Sequence, residues 1–323
     1  MAKILVTGAF GQIGSELVPA LRQRFGTEQV VASDLRVPPG NSANAEGPFE
    51  YIDCTHIRQI DAAVRHHEID TIYHLAALLS AVGEQRPHVA WDVNMGGLYR
   101  VLEVARQHRC AVFFPSSIGA FGASTPRDEA PQDTIQRPST MYGITKVAGE
   151  LLCDYYCSRF GLDVRGVRFP GLISYVAPPG GGTTDYAVEI FAQAVRYRHY
   201  SCFLRADTEL PMMYMPDAIR SMVELMAANP ARLVHRNAFN IAAMSFTPER
   251  LAAEIRKHLP DFAIDYEVDP VRQAIADSWP RSLDDRAARE EWGWQPAYDL
   301  PSMTRDMLER TSEKLSAGQP PGG

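Results

Sequence analysis

A mostly apolar run, Lys3-Ile-Leu-Val-Thr7, leads directly into three spaced glycines, Gly8, Gly11 and Gly14, which overlap an amphipathic stretch, Gln12–Phe25. This order constrains the fold more than any other feature of the chain. It predicts a strand that turns tightly at Gly8 and a helix that starts without side chains crowding its first amides. Such a helix aims unpaired N–H groups and the positive end of its dipole at one point, so the turn is a ready anion cradle. The next apolar run, Val30–Ser33, closes on Asp34, 20 residues after Gly14. A carboxylate there can accept hydrogen bonds from ribose hydroxyls and would repel a 2′-phosphate. The glycine turn, with the backbone of Phe10, Gln12 and Ile13, is therefore expected to bind a dinucleotide. Asp34 selects NAD over NADP despite the nearby Arg36.

The first half of the chain goes on alternating short apolar runs with longer amphipathic ones. Strands are expected at Phe49–Ile52, Thr71–Leu75, Ala111–Pro115 and Asp163–Phe169, and helices at His56–His67, Val89–Gln107 and Met141–Arg159. Alternation of this kind predicts an α/β fold, a Rossmann-type doubly wound parallel sheet with helices on both faces. Asp53 and Cys54, just after the third strand, fall where an adenine would lie, with a turn or cap role as the rival reading of Asp53. After Phe169 the regularity breaks at Pro178-Pro-Gly-Gly-Gly-Thr-Thr-Asp185. Beyond it, helices are expected at Tyr186–Arg198, Pro216–Ala228 and Pro248–His258, with short strands near Cys202–Arg205 and Phe239–Ala242. The expected organisation is a dinucleotide-binding domain over residues 1–170, a smaller interleaved substrate lobe over 171–315, and a disordered tail over 316–323.

Composition excludes other classes. With 323 residues and 46% hydrophobic content, the chain can bury a large core. Its net charge of -7 argues against nucleic acid as a partner. No window approaches the roughly 18 unbroken apolar residues of a membrane span. The first strand begins by residue 3, leaving no room for a leader peptide, so a cytoplasmic protein is expected. Cys54, Cys110, Cys153, Cys157 and Cys202 form no C-x-x-C pair. They read as small buried apolar residues, and no metal site is expected.

A second constellation carries the chemistry. Tyr142 and Lys146 lie four positions apart on a predicted helix, hence on one face, and Ser117 lies 25 positions before the tyrosine at a strand end. A phenol with an ordinary pKa of about 10 needs a neighbouring cation to act as a base near neutrality. The set suits removal of a proton and a hydride from an alcohol.

The glycine trio, Asp34, His74-Leu-Ala-Ala77, Asn94, Ser116-Ser117 and the Tyr142/Lys146 pair resemble the extended short-chain dehydrogenase/reductases. That family includes nucleotide-sugar epimerases and dehydratases besides dehydrogenases. Phe121, where many members carry tyrosine, is a departure that touches no proton-transfer step. The resemblance implies that Leu75, Ala76, Ala77, Asn94, Ser116 and Pro170 join the NAD site. It makes Tyr142 the general acid–base, has Lys146 bind the nicotinamide ribose, and has Ser117 position the reacting oxygen.

Residues 168–190, with Arg168-Phe-Pro-Gly-Leu-Ile-Ser174 and the glycine–threonine loop, resemble the L-threonine 3-dehydrogenases within it. This implies oxidation of L-threonine at C3 to 2-amino-3-oxobutanoate, with Ser80, Thr183 and Thr184 at the amino acid. Trp279 is a candidate to close the pocket, and Asp185 is expected to cap the following helix. The resemblance also implies a homodimer paired through the two long helices and functional coupling to a 2-amino-3-ketobutyrate CoA ligase. Two alternatives stay open at this point. One is a nucleotide-sugar epimerase or dehydratase drawing on Arg196, Arg198 and Arg205, and the other is a non-catalytic dinucleotide sensor.

Overall fold

The computed structural model describes residues 2–38, 46–178 and 180–318. Strands β1 (Ile4–Thr7), β2 (Val30–Asp34), β3 (Phe49–Tyr51), β4 (Thr71–His74), β5 (Ala111–Ser117) and β6 (Val164–Phe169) form the expected parallel sheet. β7 (Gly171–Ile173), β8 (His199–Cys202) and β9 (Leu210–Tyr214) belong to other sheets, while β10 (Phe239–Asn240) joins the edge of the first. Among the described residues that sheet has seven strands, ordered β10-β6-β5-β4-β1-β2-β3, and every pairing is parallel.

Alternate residues of the strands point to opposite faces, and both faces are buried. Ile4, Val6, Val30, Ala32 and Phe113 pack on one side with helices α1 (Gly14–Phe25) and α8 (Met215–Ala227). Leu5, Val31, Ile72, Val112 and Phe114 pack on the other with α2 (Ile57–His66), α5 (Gly97–His108) and α6 (Met141–Phe160). Between α2 and α5 lie two short helices, α3 (Ser80–Gln85) and α4 (Pro87–Trp91). The long helix expected over Val89–Gln107 is interrupted: Asp92–Gly96 form a π-helical turn between α4 and α5. Asn94 is the physical reason. Its side chain accepts from Leu78 N at 2.8 Å and donates to Leu78 O at 3.1 Å, which pulls the helix onto the preceding loop.

The remaining chain builds a third core around Tyr186, Phe191, Tyr214 and Phe246. It contains α7 (Tyr186–Tyr197), and α9 (Pro248–Arg256) and α12 (Leu300–Ser316) close over it; α10 (Pro270–Asp277) and α11 (Arg286–Trp292) complete the helices. β9 pairs with β7 and with β11 (Met244–Phe246), while β12 (Ala263–Tyr266) pairs with β8. The strand expected at Cys202–Arg205 lies earlier, at His199–Cys202, where β12 supplies its partner. Of the expected tail, Ser316 still belongs to α12, and residues 319–323 lie outside the described residues.

Candidate active site

The turn after β1 has the predicted form. Gly8 adopts φ +71°, and a Cβ on Gly14 would stand 2.3 Å from the Gly8 carbonyl oxygen, so α1 can approach the strand only without a side chain there. Asp34 Oδ2 accepts from Phe10 N at 3.0 Å, fastening the second strand end to the glycine turn. The Gln12 Nε2 amide is buried against this turn with no protein partner. A buried donor left unmatched beside amides at a helix start fits a phosphate-bearing group.

Other predicted cofactor residues separate into two sets. Leu75, Ala77, Ser116, Tyr142, Lys146 and Pro170 line one cavity with Gly8, Gly11, Gln12, Ile13 and Gly14. Phe10, Asp34, Asp53, Cys54, Ala76 and Asn94 lie outside its lining. Asp53 follows the turn reading, since its Oδ1 accepts from both Thr55 N at 2.8 Å and Thr55 Oγ1 at 2.7 Å. Cys54 is buried, and burial pushes its thiol up to about 12.

At the other end of the cavity, β5 delivers Ser117 and α6 delivers Tyr142 and Lys146. Thr140 caps α6 by accepting from Gly143 N at 3.1 Å. A Cβ on Gly143 would fall 2.2 Å from Gly119 O, so this glycine lets the helix start press onto the turn after Ser117. The sequence reading missed both glycines. Lys146 is buried, with its Nζ donating to Pro115 O at 2.7 Å and standing 5.4 Å from the Tyr142 ring centre.

Burial opposes charge on both groups. It pushes the Tyr142 phenol up to about 12, with the Ser117 hydroxyl pulling the other way, and lowers Lys146 to about 8 against the pull of Glu150. The expectation that Lys146 would draw the phenol down is therefore outweighed by desolvation.

The cavity measures about 220 Å³, and Ser80, Thr183, Thr184 and Trp279 line it beside Ser117 and Tyr142. Leu79, Ile118 and Leu172 also line it and were not anticipated, and Gly182 and Asp185 of the glycine–threonine loop join them. Asp185 corrects the sequence reading: it holds the N-cap position of α7, but its side chain makes no cap bond there. Its Oδ2 instead accepts from Gly181 N at 2.8 Å and Gly182 N at 2.6 Å, folding the glycine–threonine loop back on itself. Burial raises this carboxyl to about 6. Arg196, Arg198 and Arg205 do not line the cavity, and Arg205 is held by Asp277 at 2.8 Å.

Residues 4–242 match the NAD dependent epimerase/dehydratase family. The chain belongs to that family. An uncharacterized epimerase/dehydratase of Staphylococcus haemolyticus is 55% identical over 97% of this chain and 99% of its own length. Among solved structures, an L-threonine dehydrogenase from Clostridium difficile is 56% identical with a TM-score of 0.96, covering 97% of this chain and 98% of that one. An L-threonine dehydrogenase from Phytophthora infestans is 50% identical with a TM-score of 0.93, covering 98% and 100%. A monomeric L-threonine 3-dehydrogenase of metagenomic origin is 46% identical with a TM-score of 0.92, covering 96% and 99%.

As a member of the NAD-dependent epimerase/dehydratase family, the chain has a dinucleotide partner that suits the turn, Asp34 and the unmatched Gln12 amide. No helix among the described residues is long and apolar enough to cross a membrane. Glu50, His66 and His67 bring donor atoms within 4.8 Å of one another on α2 and β3 and its flank, but none of them lines the cavity.

Proposed function

We propose that this protein oxidises L-threonine at C3 with NAD+, giving 2-amino-3-oxobutanoate and NADH. The observation that carries the reading is the cavity of about 220 Å³ in which Ser117, Tyr142 and Lys146 meet the hydroxyls of Ser80, Thr183 and Thr184. That space also takes in the residues of the glycine turn, so the substrate end suits a small polar molecule. A nucleotide-diphosphate sugar would need more room and basic contacts, which Arg196, Arg198 and Arg205 do not bring to the cavity.

Ser117 Oγ accepts from Gly119 N at 3.1 Å, which leaves its own proton to donate to the substrate oxygen. Tyr142 removes the C3 hydroxyl proton as the hydride leaves C3. Bound NAD+ supplies the hydride acceptor and a positive charge. Because burial holds Tyr142 up at about 12, proton abstraction on this scheme depends on the charge of Lys146 and of the cofactor together. The hydroxyls of Ser80, Thr183 and Thr184 hold the carboxylate and ammonium of the amino acid. The β-keto acid product loses carbon dioxide readily, so a CoA-dependent ligase acting on it is the coupled activity we expect.

NADH absorbance with NAD+ and L-threonine, beside NADP+, L-allo-threonine, L-serine and UDP-galactose, tests the reading. NADH formation with L-threonine supports it. Silence on L-threonine from protein shown to bind NAD+ would refute the substrate assignment. The pH dependence has a definite sign. Oxidation needs the first proton of the Tyr142/Lys146 pair to leave, so log kcat is expected to rise with a slope near one below about pH 8, where Lys146 itself titrates. A flat profile over that range would rule the pair out as the base.

The same reading includes a homodimer. Trp91 (45% exposed), Tyr99 (50%), Leu151 (64%) and Tyr155 (52%) leave α4, α5 and α6 with apolar side chains in solvent. Light scattering on a size-exclusion column is expected to give twice the chain mass of 35.9 kDa, and a monomer mass would overturn this part alone.

A further inference from the structure

One buried carboxylate is left over from this scheme. Glu150 lies four residues after Lys146 on α6, on the same face, and is only 3% exposed. Its Oε1 accepts from Arg168 Nε at 3.0 Å and from the Ser116 hydroxyl, which lies close against it. Its Oε2 accepts from Arg168 Nη2 at 2.8 Å and Gln136 Nε2 at 3.0 Å. Ser116 stands between Pro115, whose carbonyl takes the Lys146 ammonium, and Ser117. A single carboxylate is thus tied to the strand segment that carries two groups of the proton-transfer site.

We propose that Glu150 is a positioning residue of this site: it supplies the fixed negative charge facing Lys146 and clamps Pro115–Ser117 beneath it. This rests on the assignment of Tyr142 and Lys146 made above. The surroundings of Lys146 leave no other source for that charge among the described residues. On α6, burial keeps the Cys153 thiol and the Tyr142 phenol neutral by raising both. From β4, burial and the nearby lysine lower His74 to about 3, so its imidazole is uncharged at neutral pH. β5 contributes the Pro115 carbonyl and the Phe114 ring, 4.8 Å from Nζ. Of the groups that act against the desolvation that lowers Lys146, Glu150 comes first, ahead of Cys153.

The sign of the consequence follows. A negative charge beside the Tyr142/Lys146 pair holds its first proton on, and it biases the singly deprotonated pair toward phenolate with ammonium. Without that charge the proton leaves at lower pH, but more of the pair becomes phenol with neutral lysine, which cannot take a proton from substrate.

Glu150→Gln is therefore expected to move the rising limb of log kcat to lower pH by about one unit while lowering the plateau roughly tenfold. Glu150→Asp should restore most of both. NMR titration of 13C-labelled lysine, with Lys146 assigned by its loss in Lys146→Met, gives a second readout independent of turnover. Its midpoint should fall in Glu150→Gln by a similar amount. If Glu150→Gln does not fold, the neutral pair Glu150→Gln/Arg168→Gln takes its place with the same expected direction.

A fall in kcat or stability with both the limb and the Lys146 midpoint unmoved would reduce Glu150 to a structural residue. Should the wild-type protein fail on L-threonine, the substrate reading falls while the Lys146 midpoint still decides the role of Glu150.

Discussion

Replacing Tyr142 by phenylalanine is expected to lower kcat for L-threonine oxidation by about 10²–10⁴ and to leave NAD+ affinity nearly unchanged. The ring stays, so the contacts that shape the cavity between Ser117 and Lys146 survive. What disappears is the one oxygen placed to take the substrate proton. Its phenol is difficult to ionise, because burial outweighs the help it receives from Ser117. No neighbouring base can replace it. Lys146 is committed to Pro115 O, and His74, although neutral, points its Nδ1 at Thr7 Oγ1 at 2.9 Å. Turnover, KM and NAD+ binding by calorimetry, measured on one preparation, separate the two effects. Near-normal turnover would remove Tyr142 from the mechanism, while a parallel loss of NAD+ binding would mean that the hydroxyl is part of the cofactor site.

Much of the central sheet was legible because its strands are buried on both faces and its helices are amphipathic. β1, β2 and α6 fall within a residue or two of their expected bounds. Elements defined by their partners were not legible. β7 and β11 span three residues each, too short for a period to register, and they exist because a neighbouring strand pairs with them. Two overlooked helices did carry local signals. Asp269 caps α10 ahead of Pro270, and Asp299 closes a capping box with Ser302 at the start of α12. The same arrangement, Thr247 before Pro248, starts α9.

The site divides along similar lines. Spacing alone brought out the glycine turn, Asp34 and the Tyr142/Lys146/Ser117 set. Ser80, Thr183 and Thr184 came through resemblance, since hydroxyls in loops have no periodic signature. Leu79, Ile118 and Leu172 are cavity residues only because the segments that follow β4, β5 and β6 converge. Asp185 was misread as a cap because an Asp before a helix usually is one. Here two glycine amides upstream compete successfully for its carboxylate.

Glu150 and Arg168 were invisible as a pair for the same reason, being 18 residues apart on α6 and β6. Arg168→Met should cost about 3–5 kcal/mol of stability, because it strands a buried carboxylate with only Ser116 and Gln136 as partners. The guanidinium also gives up its bonds to Gln132 O at 2.8 Å and Asn240 Oδ1 at 3.1 Å, so the strand edge at β10 loosens with it. Urea unfolding of Arg168→Met, Glu150→Leu and the double variant tests this. The double variant should be more stable than the sum of the single losses predicts, because it leaves neither charge uncompensated. Strict additivity would mean that the pair does not act as a unit. The lysine titration then separates stability from electrostatics. Arg168→Met keeps the carboxylate facing Lys146 and removes its counter-charge, so the Lys146 midpoint should hold or rise, whereas Glu150→Gln should lower it. Two variants that both weaken the fold are thus expected to move the same ammonium group differently, an outcome that general loosening of the structure does not produce.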